Sequence, residues 1–303
     1  MTRVVGYGQT AVVPQKASGV FDRRRQPAVT GLIRASHPEP AVAVTVVSAL
    51  LAWGVGHTGT GVATVAATVL SSQLAIGWTN DWIDAKRDTV AGRTDKPLVT
   101  GALPRRTVGW AGLAAAFGTP LLALAFTPAA ALVASIALIS ALLYNRPLKS
   151  TPASVLPYSL SFGALPAFVV LALPGSPLPP AWLVAAAALL GAGGHFANVL
   201  PDLDDDARTG VHGLPHRFGA AGSGLAAAGL LVAATAILTF GPPGPPSWAG
   251  LAALAAIAVI LPTGWYAHRR AVARGGRPVA VFRSVMLVAI LDVVLLVTHG
   301  PVG

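Results

Sequence analysis

Two acidic stretches carry the residues most able to do chemistry. The first is Asn80-Asp81-Trp82-Ile83-Asp84-Ala85-Lys86-Arg87-Asp88, the second Asp202-Leu203-Asp204-Asp205-Asp206. The 303-residue chain has only 11 acidic side chains, and eight of them fall within 81–95 and 202–206. Carboxylates this close repel one another and lose their ionisation unless cations neutralise them. Clustered oxygen ligands suit a hard divalent ion such as Mg2+, which typically links protein carboxylates to substrate phosphates. Cysteine is absent, so disulfides, thiolate metal sites and cysteine nucleophiles are excluded.

The elements that must position these groups read as membrane helices. Hydrophobic residues make up 54% of the chain, charged residues 11%, and the mean hydropathy is +0.66. A soluble domain is typically about 25% charged. About nine apolar segments approach the length needed to cross a hydrocarbon core of roughly 30 Å. They lie near 41–57, 61–79, 107–126, 128–144, 154–173, 181–200, 220–240, 248–267 and 280–298. The expected fold is therefore all-α and polytopic, its helices surrounding an apolar chamber. Residues 1–36, polar and basic, read as a disordered cytoplasmic tail, and 37–303 as one transmembrane domain.

The net charge of +10 would suit nucleic acid, but the placement of the charges follows membrane topology instead. With the N-terminus in the cytoplasm, all 21 Lys and Arg residues fall on the tail, on cytoplasmic loops, or at the cytoplasmic start of the last helix. The opposite loops carry none. Both acidic stretches then lie on the cytoplasmic face. The Ala-, Gly- and Arg-rich usage fits a GC-rich bacterium and hence its plasma membrane. Nothing in the residues speaks to oligomeric state.

If the second helix continues past the membrane to Asp88, Asn80, Asp84 and Asp88 recur at i, i+4 and i+8 and share a face, with Asp81 beside them. Asp202 and Asp206 stand at i, i+4 on the extension of the sixth helix, and Asn198 and His195 carry that stripe inward, unless Pro201 kinks it. The first aspartates of the two stretches, Asp81 and Asp202, lie 121 residues apart. Gly92-Arg93-Thr94 and Lys96-Pro97-Leu98 follow the first; Arg208-Thr209-Gly210 and Leu214-Pro215 follow the second. This suggests two four-helix halves related as a parallel repeat, plus a ninth helix.

Asn80-Asp-x-x-Asp84-x-x-x-Asp88 with Arg93-Thr94 and Lys96-Pro97-Leu98-x-x-Gly101 resembles the first signature of the UbiA superfamily of intramembrane prenyltransferases. Asp202-x-x-x-Asp206 resembles the second, and Tyr144-Asn145-Arg146-Pro147-Leu148-Lys149 the segment after the fourth helix. The resemblance runs from the first helix to the ninth. Lys96 departs from it, standing where the family usually has Arg, which keeps the charge but loses a bidentate fork. The resemblance implies a Mg2+-dependent enzyme in which Asn80, Asp84, Asp88, Asp202 and Asp206 hold the metal. Asp81 and Asp205 would assist catalysis. Arg87, Arg93, Lys96, Arg146, Lys149 and Arg208 would neutralise the diphosphate of an isoprenyl substrate, with Lys149 also acting in catalysis. The partners would be an isoprenyl diphosphate, a small aromatic or other acceptor, and membrane lipid, with no nucleic acid.

Asp292 lies mid-helix among apolar residues. An ionisable group at membrane depth is a functional hypothesis by default, here catalytic; the alternative is a neutral carboxyl bonded to a neighbouring helix. His195, Gln73, Asn198 and Ser161 have similar standing. Trp78, Trp82, Tyr158, Phe162 and Phe196 are candidates to line a prenyl chamber. Two other functions share these features: a membrane terpene cyclase using the same ionising site, and a cation-dependent transporter.

Overall fold

The computed structural model describes residues 28–274 and 280–298, apart from the side chains of residues 204, 205 and 272. Helices make up most of the described residues, and no strand occurs among them. The α-helices are α1 (Ala28–Ala35), α2 (Pro38–Gly54), α3 (Gly59–Val90), α4 (Arg105–Ala123), α5 (Pro128–Asn145), α6 (Val155–Leu171), α7 (Ala181–Val199), α8 (Leu203–Arg208), α9 (Leu214–Phe240), α10 (Trp248–Ala273) and α11 (Ala280–Thr298). Short 3₁₀ turns occupy Leu148–Ser150 and Leu200–Asp202.

The long helices fall on the apolar segments of the sequence. Six of them, α3, α5, α7, α9, α10 and α11, are long and apolar enough to cross a membrane; α2 and α6 are apolar but shorter. The chain is a polytopic membrane protein. Consecutive long helices pack against one another from α2 to α11, and α11 returns to α2, so the bundle closes into a ring. One apolar cluster fills the end of the ring remote from the acidic stretches, with Leu51, Val65, Phe168, Leu183 and Leu295. Another joins α7, α9, α10 and α11 through Leu190, Leu231, Ile257 and Val288. Alanine and glycine at the contacts let the helix backbones approach closely.

Local chemistry sets the ends of the helices. Pro128 opens α5, where a missing N–H costs nothing, and the Thr127 hydroxyl accepts the Ala130 N–H at 3.1 Å. At the other end of α3, Gly92 takes φ +67°, a left-handed turn that stops the helix.

Part of the tail proves to be folded. Residues 28–35, assigned above to a disordered extension, form α1, and Trp78 Nε1 of α3 donates to the Leu32 carbonyl at 2.9 Å. Composition misled here because a polar, basic segment can still be held by packing against a neighbour. Residues 1–27 lie outside the described residues.

Candidate active site

Helix α3 runs unbroken for 32 residues, so its last three or so turns carry the first acidic stretch on one rigid rod. A rise of 1.5 Å per residue sets Asn80, Asp84 and Asp88 roughly 6 Å apart along one face. Asp81, Asp84 and Asp88 are 1%, 6% and 7% exposed. Buried carboxylates need hydrogen-bonding or charged partners, and the fold supplies them from three separate segments.

The first is the turn between α1 and α2. A side chain at Gly77 would place its Cβ only 2.4 Å from the Ser36 carbonyl, so glycine lets this turn lie directly on α3. His37, at φ 54°, then sets Nε2 2.9 Å from Asp81 Oδ1. The second segment is the loop after α3. The Arg93 N–H bonds back to the Asp88 carbonyl at 3.0 Å and that of Lys96 to Arg93 at 3.1 Å. This returns Lys96 to the helix it has just left, and its Nζ donates to Asp81 Oδ1 at 2.7 Å while lying 3.1 Å from His37 Nε2. Asp81 Oδ2 is buried with no hydrogen-bond partner.

The third segment is the 3₁₀ turn between α5 and α6. Lys149 Nζ donates to Asp84 Oδ2 at 2.6 Å, and Arg87 to the same oxygen at 2.8 Å. Its neighbourhood is fastened on both sides. Asn145 Nδ2 donates to the Ile76 carbonyl of α3 at 2.9 Å. The Ser154 hydroxyl accepts the Leu214 N–H at 2.8 Å and pairs with His195 Nε2 at 3.0 Å. His195 is thus part of the joint between α6, α7 and α9.

The second acidic stretch is built differently. Helix α7 stops at Val199, a 3₁₀ turn carries Pro201, and α8 resumes for six residues. The continuous stripe expected from His195 to Asp206 is therefore interrupted, because Pro201 offers no N–H to an α-helical ladder. Asp202 is exposed and Asp206 half-buried. Burial pushes the Asp206 carboxyl above the usual carboxylate range, and the Asp202 charge adds to the rise, while His216, Arg87 and Lys149 oppose it. Arg93 feels the charges of both Asp88 and Asp202. Across these pairs the two stretches share one electrostatic field.

The other expected site residues are placed as follows. Arg93 forms a fork with Asp95, at 3.0 and 2.9 Å, on the surface, and it holds the Asp95 carboxyl down to about 2. Arg146 is exposed where α5 ends, and Arg208 is exposed at the end of α8. The side chain of Asp205 lies outside the described residues. Asp292 is fully buried between α11 and α9, where the Thr235 hydroxyl donates to it; it lines none of the cavities described here. That geometry matches the alternative given above to a catalytic Asp292, a carboxyl bonded to a neighbouring helix.

Beneath the acidic stretches lies a chamber of about 380 Å³. Asn80 and Asn198 face it from α3 and α7, and Tyr144, Tyr158 and Phe162 from α5 and α6. Gln73 and Ser161 line both this chamber and a smaller cavity of about 60 Å³ deeper in the ring. Tyr158 stacks on Phe162, centroids 6.2 Å apart, and Tyr144 meets Tyr158 edge-on at 4.9 Å. Three aromatics expected in the chamber are elsewhere. Trp78 binds α1, Phe196 packs in a core cluster, and Trp82 lies outside beneath the Arg105 guanidinium.

Among the described residues no three His, Asp or Glu side chains converge on one point as a formed metal site. The expected set of Asn80, Asp84, Asp88, Asp202 and Asp206 is thus drawn up on two facing elements, not closed around a centre. Asp84 is instead engaged by two cations. The donor set is all oxygen, which fits a hard divalent ion.

Residues 41–290 match the UbiA prenyltransferase family. The chain belongs to that family. Solved structures are similar over nearly their whole length. A UbiA homolog from Archaeoglobus fulgidus bound to GPP and Mg2+ has a TM-score of 0.67 at 16% identity, covering 88% of this chain and 99% of that one. The apo structure of a UbiA homolog from Aeropyrum pernix K1 has a TM-score of 0.61 at 22% identity, covering 88% and 96%. A structure of digeranylgeranylglyceryl phosphate synthase in membranes has a TM-score of 0.67 at 16% identity, covering 89% and 97%. At these identities the likeness is one of fold. No protein of curated function matches the chain.

His37 is the residue of this UbiA-family site that sequence reasoning missed. A single histidine 44 positions before its carboxylate leaves no spacing to read. The only local sign was its place just ahead of Pro38, at a helix start.

Proposed function

We propose that this UbiA-family chain transfers the prenyl group of an isoprenyl diphosphate to a small acceptor, releasing diphosphate, at the membrane edge where the acidic stretches lie. The observation that carries this reading is the facing of two carboxylate groups, threaded with Lys96, Lys149 and Arg87, over an apolar and aromatic chamber. The A. fulgidus homolog bound to GPP and Mg2+ supports it.

Asn80, Asp84 and Asp88 on one side, and Asp202 and Asp206 on the other, would hold Mg2+. When bound, Mg2+ supplies Lewis-acid stabilisation of the charge that develops on departing diphosphate. Lys149 and Arg87 now share one oxygen of Asp84. They would turn to the diphosphate oxygens once that oxygen is engaged, which keeps the count of opposite charges balanced. Lys96 stays with Asp81 and His37, holding the loop after α3 in place beside the diphosphate. Asn80 and Asn198 mark the top of the chamber, where the first carbons of the prenyl chain would lie. Tyr144, Tyr158 and Phe162 offer π faces to an allylic cation and shield it from water until an acceptor attacks. The same aromatic walls favour a second reading, a terpene cyclase that quenches the cation within its own chain. By charge placement the site would face the cytoplasm, and by the Ala-, Gly- and Arg-rich usage the membrane would be a bacterial plasma membrane.

The test is diphosphate release by the purified chain with Mg2+ and geranyl, farnesyl or geranylgeranyl diphosphate, with and without phenolic acceptors. Release that needs an acceptor and disappears in Asp84→Ala supports transfer. Release without acceptor, yielding a terpene, supports the cyclase. Absence of both binding and release for every chain length, with acceptors present, overturns both readings.

A further inference from the structure

The chamber of about 380 Å³ and the deeper cavity of about 60 Å³ adjoin inside the ring. Four residues line both: Gln73 and Ile76 of α3, Ala141 of α5 and Ser161 of α6. These four mark the boundary between the two spaces. Beyond it the walls are Thr68, Val69 and Ser72 of α3, Thr119 of α4, Ala134 and Ala137 of α5, and Leu165 and Phe168 of α6.

Helix geometry gives the depth of that boundary. Gln73 stands two turns before Asn80 on the same face of α3, about 10 Å further from the acidic stretches. Four carbon–carbon bonds of about 1.5 Å advance an extended isoprene unit by roughly 5 Å. A chain whose first carbons lie at Asn80 therefore reaches Gln73 after about two units. A third unit must pass Gln73 into the deeper cavity. Benzene occupies a cavity of about 150 Å³, whereas the five carbons of that unit would find about 60 Å³.

Polarity acts in the same direction. Three hydroxyls around the deeper cavity are already bonded to backbone: Thr68 to the Thr64 carbonyl at 2.8 Å, Thr119 to Ala115 at 3.0 Å and Ser161 to Ala137 at 2.9 Å. The Gln73 carboxamide is half-buried and has no hydrogen-bond partner among the described residues. Hydrocarbon laid over it would remove its water and return no hydrogen bond, which is costly.

We propose that Gln73 sets the length of the isoprenyl chain this site accepts. Its side chain admits two isoprene units and rejects a third, through its bulk at the boundary and through the cost of covering its amide. The inference rests on the prenyl-diphosphate reading above and adds the class of donor to it, a diphosphate of geranyl size.

The experiment measures kcat/KM for diphosphate release by the full chain in detergent with Mg2+ and phenolic acceptors, using geranyl, farnesyl and geranylgeranyl diphosphates. The parent should favour geranyl over farnesyl about tenfold. Gln73→Ala, which removes both bulk and amide, should raise the farnesyl-to-geranyl ratio about tenfold. Gln73→Leu keeps the bulk and should raise the ratio less; a rise in Gln73→Ala alone sustains the proposal and assigns the effect to bulk. Ala137→Leu, which fills the deeper cavity, should cancel the gain when added to Gln73→Ala. A parent that uses farnesyl or geranylgeranyl diphosphate as well as geranyl would overturn the proposal. So would a ratio unmoved by both Gln73 variants, or a gain that survives Ala137→Leu, because the chain would then run elsewhere. Release with an unmoved ratio removes this inference alone, whereas no release with any chain removes the prenyl-transfer reading and the inference with it.

Discussion

The two acidic stretches look alike in sequence and are built in opposite ways. The first sits on one unbroken helix, its three aspartates buried, two of them held by Lys96, Lys149 and Arg87 at 2.6–2.8 Å. The second sits across a helix break, with Asp202 exposed and Asp206 half-buried. The first is held by its own protein partners, whereas the second crosses the break at Pro201. We read the first as a fixed wall and the second as an adjustable one, a division that would suit a site receiving and releasing a charged ligand.

The comparison can be broken at several points. The largest effect is expected at the fixed wall, where Asp84→Ala should lower diphosphate release on the order of a thousandfold. At the adjustable wall, Asp202→Ala should cost roughly tenfold to a hundredfold, and mainly as a higher Mg2+ requirement. Steady-state release at increasing Mg2+ reads both, and an equal loss at the two positions would erase the distinction.

Asp81→Ala should destabilise the fold by about 3 kcal/mol, because it leaves the ammonium of Lys96 (14% exposed) without its carboxylate. Thermal unfolding in detergent measures this. A variant as stable as the parent would show that Asp81 is not the fastening it resembles.

Asp206 should behave in the opposite sense. Its folded-state pKa is raised by burial, with Asp202 adding, so ionising it costs more in the folded state than in the unfolded chain. That cost is absent below the ordinary carboxylate range and is complete once pH exceeds the raised value. Asp206→Asn should therefore raise the unfolding temperature at neutral pH without divalent ions, and the gain should vanish on acidification. A lowered unfolding temperature at neutral pH would contradict it.

The smallest effect belongs to Asp95. Arg93 holds its carboxyl down to about 2, so its contribution is present above the ordinary carboxylate pKa and fades as pH falls toward 2. Both partners are more than half exposed, and solvent screening limits such a pair to less than about 1 kcal/mol. Asp95→Asn should leave unfolding and diphosphate release nearly unchanged, and a large loss of release would move Arg93 into the diphosphate site.

Much of this molecule was legible before any coordinates. Hydropathy located the long helices because a membrane core demands runs of apolar residues whatever their neighbours. Spacing at i, i+4 and i+8 placed Asn80, Asp84 and Asp88 on one face because helical geometry is local, and α3 does continue through them. Motif settings singled out Lys96 and Lys149 as diphosphate contacts, and what the fold shows is their pairing with Asp81 and Asp84. Composition assigned residues 28–35 to the tail, and it could not show that Gly77 opens a seat for the adjoining turn on α3. Periodicity likewise extended the second stripe past Pro201, where the chain instead tightens into a 3₁₀ turn.

By itself the sequence determined the helices, the facing of Asn80, Asp84 and Asp88, and the gathering of charge at two points, since each depends on residues within a few turns of one another. Only the tertiary structure decided which cation meets which carboxylate, that His37 joins Asp81 across 44 residues, and that Asp292 turns to Thr235 away from the acidic stretches. These are contacts between distant segments, and they follow from how the ring of helices closes, which no local pattern records.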